Sequence, residues 1–546
     1  MPDGPLIVQS DRTVLLEVAH PDAGTARHEL AVFAELERAP EHVHTYRITR
    51  LGLWNARAAG HSAEEILATL DRYSKFAVPQ SVSLEIVEVI ARYGKLVIER
   101  RDDGSLVLRS TDAAVLSEIT RAKKVGVLLN TKKDDGTWGI EPWARGQLKQ
   151  ELIKLGWPAD DLAGFTPGTP HAIDLDETGW HLRDYQQKAI DNFAEHGSGV
   201  VVLPCGAGKT LVGAGAMATV KTNTLILVTN TVSARQWRAE LLKRTSLTEE
   251  EIGEYSGLVK EVKPVTIATY QILTSKRGGV YAHLELLDAL DWGLVVYDEV
   301  HLLPAPVFKL TADLQARRRL GLTATLVRED GRESDVFSLI GPKRFDAPWK
   351  EIEAEGYIAP ANCYEVRVEL PFTERMTYAA ASDDERYRLA ATAPAKLDAT
   401  RQLIAQHRGE RILVIGQYLD QLEELSTQLG APQVTGATPV AERERLFQAF
   451  RDGEEKILVV SKVANFSIDL PEASVAIQVS GSFGSRQEEA QRLGRLLRPK
   501  ESGLSASFYT LVARDTVDQD FAQNRQRFLA EQGYAYEILD ADTLVA

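Results

Sequence analysis

Val200-Val-Val-Leu-Pro-Cys-Gly-Ala-Gly-Lys-Thr210 reads as a short apolar strand, a glycine loop and the start of a helix. Gly206 and Gly208 let the backbone turn tightly enough for its N–H groups to face an anion. Lys209 brings a positive charge to the β and γ phosphates of a nucleotide, and the Thr210 hydroxyl can ligate Mg²⁺. Leu203, Pro204, Cys205 and Ala207 complete the loop, with Cys205 as a spacer. Leu203 stands where the full pattern has Gly or Ala, but G-x-G-K-T directly after an apolar strand is retained. Without the Lys-Thr pair, the same glycines would be an ordinary turn before a surface helix.

Outward from this loop the chain has a regular rhythm. Val200–Leu203, Thr224–Val228, Val265–Ala268, Leu294–Tyr297 and Arg319–Thr323 are short apolar runs separated by helix-length segments. The rhythm resumes at Ile412–Ile415, Lys456–Val460, Val475–Val479 and Ser507–Leu511. Such alternation predicts βαβ units and buried parallel sheets. The expected fold class is therefore α/β, with two tandem parallel-sheet domains over about 166–350 and 351–546. Residues 1–165 form an N-terminal α+β accessory region, closed by the turn-rich link Phe165-Thr-Pro-Gly-Thr-Pro170. Helices are expected there at His28–Arg38, Ala63–Leu70 and Ser83–Arg92, and strands at Lys95–Ile98 and Leu106–Leu108.

Composition sets the limits. At 546 residues the chain exceeds a single core. Its 44% hydrophobic and 26% charged content is that of a globular protein. No apolar run approaches the roughly 20 residues of a membrane span. The N-terminal MPDGPLIVQS lacks the basic flank and apolar core of a signal peptide. Two cysteines, Cys205 and Cys363, exclude a disulfide framework and a cysteine-based zinc cluster. A cytoplasmic, nucleoid-associated protein without membrane contact is the expectation. The net charge of −15 opposes general affinity for nucleic acid, so any such contact must be concentrated in a local basic groove.

About 90 residues after the loop, Leu294-Val-Val-Tyr-Asp-Glu-Val-His301 ends a strand in two carboxylates. Asp298 is a candidate Mg²⁺ ligand and Glu299 a candidate base for an attacking water. His301 is a candidate coupling residue beside the γ-phosphate; a packed structural imidazole is the other reading. Arg319-Leu-Gly-Leu-Thr-Ala-Thr325 brings Thr323 and Thr325, whose hydroxyls can bond the acidic pair and relay loss of phosphate. In the second domain, Gln491, Arg495 and Arg498 fall on neighbouring turns of one helix face, a set suited to charge developing on a transferred phosphoryl group. In isolation they would read as a solvated basic face.

Together these segments resemble superfamily-two helicases, and within them the XPB (xeroderma pigmentosum group B) type of DNA helicase. The resemblance rests on Asp298-Glu-Val-His301, Thr323-Ala-Thr-Leu-Val-Arg-Glu-Asp330, Ser461-Lys-Val-Ala-Asn-Phe-Ser-Ile-Asp-Leu-Pro471 and Gln491-Arg-Leu-Gly-Arg495. It covers about 175–500 strongly and the N-terminal region more weakly. It implies two RecA-like domains, ATP and Mg²⁺ as cofactors, DNA as substrate and 3′→5′ polarity. Arg183 and Gln186, in His181-Leu-Arg-Asp-Tyr-Gln186, match the adenine-reading segment. Gln236, Thr269, Tyr270, Gln271, Gln417 and Ser467 fall at strand-contacting positions, and Asp469 at a coupling position. Arg328-Glu329-Asp330 looks like the family's RED element, with an ordinary charged surface turn as the competing reading.

The stretch 372–395 would be a short form of the family's thumb-like insertion. Residues 95–160 would be the counterpart of a part that senses distorted DNA. Within 121–157, eight Lys or Arg against four Asp or Glu, with Trp138, Trp143 and Trp157 interleaved, suit phosphates and unpaired bases, or a small domain with core tryptophans. No nuclease constellation stands out, so strand cutting would need a nuclease or repair partner. Three other uses of the motor stay open: a duplex translocase or strand-annealing remodeler, an ATP-switched binder of damaged DNA, and action on RNA.

Overall fold

The computed structural model describes residues 4–39, 42–204, 206–257, 259–277, 280–304, 307, 314–315, 317–324, 333–347, 352, 361–461, 473–481, 506–522 and 536–544. Cys205, Thr325, Arg328, Glu329, Asp330, Ser467, Asp469, Gln491, Arg495 and Arg498 lie outside them.

Two seven-stranded parallel sheets dominate. The first runs, in spatial order, Ile252–Tyr255, Val265–Thr269, Thr224–Val228, Leu294–Asp298, Arg318–Thr323, Ser198–Val202 and Lys343–Asp346. Its central strands are buried along their length, which is why they read as unbroken apolar runs rather than alternating ones. The second runs Gln433–Val434, Ile457–Ser461, Ile412–Gly416, Val475–Gln478, Ala506–Ala513, Ala361–Val368 and Tyr536–Asp540. The C-terminal ends of parallel strands gather loops into a crevice, and the glycine loop follows strand Ser198–Val202 there, as Glu299 follows strand Leu294–Asp298.

The N-terminal region holds two smaller sheets. Leu6–Val8, Thr13–Glu17, Val43–Ile48 and Ala34–Arg38 form an antiparallel sheet, accompanied by helices Ala23–Leu30, Arg50–Ala58, Ala63–Tyr73 and Gln80–Arg92. Leu129–Lys132, Trp138–Ile140, Leu106–Ser110, Leu96–Arg100 and Ala159–Asp161 form the other, with helices Ala113–Arg121 and Ala144–Lys154. One expectation is corrected here. The helix expected at His28–Arg38 ends at Leu30, and Ala34–Arg38 is a strand. Ala34 pairs with Ile48 and Leu36 with Tyr46, so a two-residue alternation buries both in the core.

The accessory region docks on the first large sheet through specific polar contacts. Gln150 Nε2 donates to Asp335 Oδ1 at 2.8 Å, the Lys343 N–H to Asn55 Oδ1 at 3.0 Å, and Arg344 Nη1 to the Ala58 carbonyl at 3.0 Å. Phe337 joins the accessory core itself. The basic count in 121–157 overstates the available charge. Arg145 and Lys149 are buried, and both bond Asp161, at 2.8 and 2.9 Å. Trp157 is covered by Arg92 at 4.8 Å from its ring centroid and donates its indole N–H to Glu118. Trp143 is 54% exposed.

Candidate active site

The phosphate loop leaves the end of strand Ser198–Val202, where the Leu203 N–H donates to the Thr323 carbonyl at 2.9 Å. Gly206 and Gly208 both have left-handed backbone, at φ 84° and 83°, which a side chain would strain. At Gly208 there is a second reason for glycine: a Cβ would lie 2.3 Å from Gln186 Nε2. That amide braces the loop by donating to the Ala207 carbonyl at 2.8 Å, and the Tyr185 hydroxyl donates to the same oxygen at 2.7 Å. Arg183 supports the brace. Its Nη1 donates to the Tyr185 hydroxyl, and its N–H to Gln186 Oε1, each at 3.0 Å. Helix Lys209–Val220 then starts with its positive dipole end at the loop, and Lys209 and Thr210 are its first two residues.

Strand Leu294–Asp298, two places from the phosphate-loop strand, carries the acidic pair to the same edge. Lys209 Nζ and Glu299 Oε1 are 3.3 Å apart, so the lysine expected at a phosphate chain holds a carboxylate here. Asp298 accepts from the Trp237 indole Nε1 at 2.9 Å and from the Glu299 N–H at 3.0 Å, while its carbonyl accepts the Tyr270 hydroxyl at 2.7 Å. Trp237 reaches it from helix Thr231–Arg244 because the facing helix is thin at one point. A Cβ on Gly213 would lie 2.4 Å from the indole Cη2. A helical glycine costs about 1 kcal/mol relative to alanine, and here it admits the ring. Glu299 sits in left-handed backbone at φ 49°, which turns the chain into the short helix Val300–Leu302.

The two carboxylates are driven apart electrostatically. Burial, then the charge of Glu299, pushes Asp298 up to about 6 against the pull of Trp237 and Lys209. Burial also acts to raise Glu299, but Lys209 first and His301 next outweigh it and hold Glu299 below the ordinary glutamate value. When pH falls, the proton therefore goes to Asp298 and leaves Glu299 a base. His301 Nδ1 lies 2.6 Å from Thr323 Oγ1 and 3.5 Å from Glu299 Oε2. Thr323 ends the strand that also bonds Leu203, so phosphate loop, acidic pair and strand end form one connected group.

The structure places the other candidates in different settings. Gln236 and Gln271 are exposed, on helices that begin beyond neighbouring strand ends. Thr269 and Tyr270 are buried. Gln417 is half-buried directly after strand Ile412–Gly416 of the second sheet. Trp237 and Tyr185 are the supporting residues that sequence reasoning missed. Nothing near Trp237 points to a carboxylate 61 positions away.

Comparison with known proteins agrees with this grouping. Residues 352–545 match the ERCC3/RAD25/XPB C-terminal helicase family, residues 179–328 the type III restriction enzyme res subunit, and residues 6–133 a helicase conserved C-terminal domain. The DNA 3′-5′ helicase XPB of Kineococcus radiotolerans is 68% identical over 544 residues, covering 100% of this chain and 98% of that protein. The Mycobacterium tuberculosis protein of the same name is 63% identical over 545 residues, covering 100% of this chain and 99% of its own. The Saccharomyces cerevisiae general transcription and DNA repair factor IIH helicase/translocase subunit XPB/SSL2 is 31% identical, over 98% of this chain and 72% of that one. With identity of this order over nearly the full length, and Lys209, Glu299, His301 and Thr323 joined at one sheet edge, the chain belongs to the XPB family of DNA helicases.

Proposed function

We propose that the chain is an ATP-driven DNA helicase of 3′→5′ polarity that unwinds or remodels DNA in repair. The observation that carries the reading is the joined set Lys209–Glu299–His301–Thr323 at the end of a parallel sheet, in a chain two-thirds identical to a named 3′-5′ helicase. Lys209, Thr210 and the loop amides would hold the triphosphate, and Asp298 the Mg²⁺ that neutralises its charge when bound. Glu299 orients the attacking water and accepts its proton. Lys209 must exchange Glu299 for phosphate on binding, which frees the carboxylate for that task.

His301 and Thr323 pass the change to the strand that bonds Leu203. In our reading Thr325 and Asp469 act in the same relay, and Gln491, Arg495 and Arg498 meet the phosphates from the second domain. Gln236, Gln271, Gln417 and Ser467 follow the DNA backbone, with Arg328, Glu329 and Asp330 at the duplex, while Thr269 and Tyr270, whose side chains are buried, hold the segment that presents Gln271. Tyr270 supports this assignment indirectly, because its hydroxyl on the Asp298 carbonyl links a strand-contacting segment to the acidic pair.

The test is ATP turnover of wild type, Lys209→Ala and Glu299→Gln with no nucleic acid, single-stranded DNA, duplex DNA and RNA. Turnover stimulated by DNA is expected in the wild type, with loss in both variants and retained ATP binding in Glu299→Gln. Turnover in Glu299→Gln would overturn the assignment of the base. A forked substrate with a 3′ tail, compared with blunt duplex, separates unwinding from duplex translocation.

A further inference from the structure

In the second large domain, three residues after strand Val475–Gln478 collect contacts from four separate elements. Ser480, 2% exposed, accepts the Gln417 backbone N–H at 2.8 Å and donates its hydroxyl to Gln421 Oε1 at 2.8 Å. Gln421 Nε2 in turn donates to the Ala391 carbonyl at 3.0 Å, at the end of helix Asp383–Ala391. From that helix the buried Tyr387 hydroxyl donates to the Gly481 carbonyl. Lys396 donates to the Val479 carbonyl at 3.0 Å, and its buried charge is held by Asp518 at 2.6 Å.

The same helix also grips the other side of the Gln417 turn. Arg388 pairs with Asp420 at 2.6 Å and lies 5.7 Å from the centre of the Tyr418 ring. Gln417 thus sits in a turn whose backbone is held by Ser480, with the exposed Arg388–Asp420 pair at its flank. One atom of the turn is left over: Gln417 Oε1 is buried with no hydrogen-bond partner among the described residues. A buried polar atom left unpaired is costly, which favours a ligand that completes it. The turn is held ready while the amide oxygen it carries is unmet.

We propose that Ser480 is a positioning residue for the nucleic-acid contact at Gln417, and that Gln421 is the link through which helix Asp383–Ala391 acts on it. The inference rests on reading Gln417 as a contact to the DNA strand. Ser480 fixes the turn before the strand arrives, so its hydroxyl lowers the cost of ordering the contact. Ser480 acts on Gln417 through the backbone and does not itself meet the strand.

The test measures ATP turnover of the full-length chain against the concentration of a single-stranded deoxyribo-oligonucleotide. Ser480→Ala is expected to raise the half-saturating DNA concentration about tenfold, the effect of losing one buried hydrogen bond, with kcat at saturating DNA within about twofold of wild type. Gln421→Met, at a half-buried position, breaks the same chain from its other end with little risk to folding. It should give a similar shift, and the double variant should exceed neither single by much, because one linked chain is broken either way. An unmoved half-saturating concentration in both variants overturns the role of Ser480. So does a fall in kcat and melting temperature without that shift, which is the mark of a purely structural residue. If wild-type turnover ignores DNA, the reading of Gln417 as a strand contact fails, and the inference falls with it for that separate reason.

Discussion

Trp237→Phe removes a single N–H from the acidic pair and leaves an aromatic ring in place. The lost bond, at 2.9 Å to Asp298 Oδ2, is a hydrogen bond to a carboxylate buried beside a second carboxylate. Such bonds contribute roughly 1.5–3 kcal/mol, so kcat/KM for Mg-ATP should fall by about ten- to a hundredfold. The indole N–H favours the ionised form of Asp298, so its loss must raise a pKa already pushed up to about 6. Two further shifts follow with known sign: the Mg²⁺ concentration for half-maximal activity rises, and the acid limb of the kcat/KM profile moves to higher pH. The smaller ring also leaves a void beside Gly213, costing about 1–3 kcal/mol of stability. That loss appears in the melting temperature and not in the Mg²⁺ dependence. The assay is steady-state ATP turnover across a Mg²⁺ titration at several pH values, with calorimetric melting alongside. A variant that melts earlier but keeps its Mg²⁺ dependence and acid limb would refute the proposed part of Trp237 in the chemistry.

Other outcomes follow for Gly213, for His44 and, from its proposed role, for Arg498. Gly213→Ala places a methyl group 2.4 Å from the Trp237 ring, so overpacking should cost about 1–3 kcal/mol by thermal melting. Combined with Trp237→Phe, that cost should shrink, because the smaller ring vacates the space. His44 is buried in the first accessory sheet, and burial first, Arg27 second, pushes its pKa from 6.5 down to about 4. The unfolded chain takes up this proton and the folded chain does not. The stabilisation is therefore complete above about pH 6.5 and is lost as pH falls towards 4, to the extent of about 3 kcal/mol. His44→Phe should flatten the fall in accessory-region melting temperature between pH 7 and 4.5 measured by calorimetry; an unchanged slope would contradict it. Arg498→Ala should lower turnover while nucleotide binding, measured by equilibrium titration, persists.

The parallel sheets were legible because a strand buried on both faces must be apolar along its whole length. Thr224–Val228, for example, has the same limits in sequence and structure. The glycine turn was legible because its geometry is local: Gly206 and Gly208 take the left-handed backbone expected of them, and Lys209 and Thr210 open the next helix. Ala34–Arg38 misled for the opposite reason. Ala-Glu-Leu-Glu-Arg favours a helix by itself, and only pairing with Val43–Ile48 makes it a strand. Trp237 and Tyr185 were illegible because each acts on a residue far along the chain, and no spacing rule covers contacts 61 and 22 positions apart. The basic tally in 121–157 overstates the free charge because sequence does not distinguish an arginine facing water from one closed over Asp161.

Glu299 holds left-handed backbone that ordinary side chains resist at a cost of roughly 1–2 kcal/mol. Glycine would relieve that strain and remove the carboxylate in the same step. Against that relief stands the lost contact to Lys209, so a screen for heat resistance alone would enrich Glu299→Gly only where the backbone strain outweighs the ion pair, and in our reading that variant has lost its base. Directed evolution of this chain for durability must therefore score turnover in every round, because at this position the residue that relaxes the backbone is also the one that removes the proposed base.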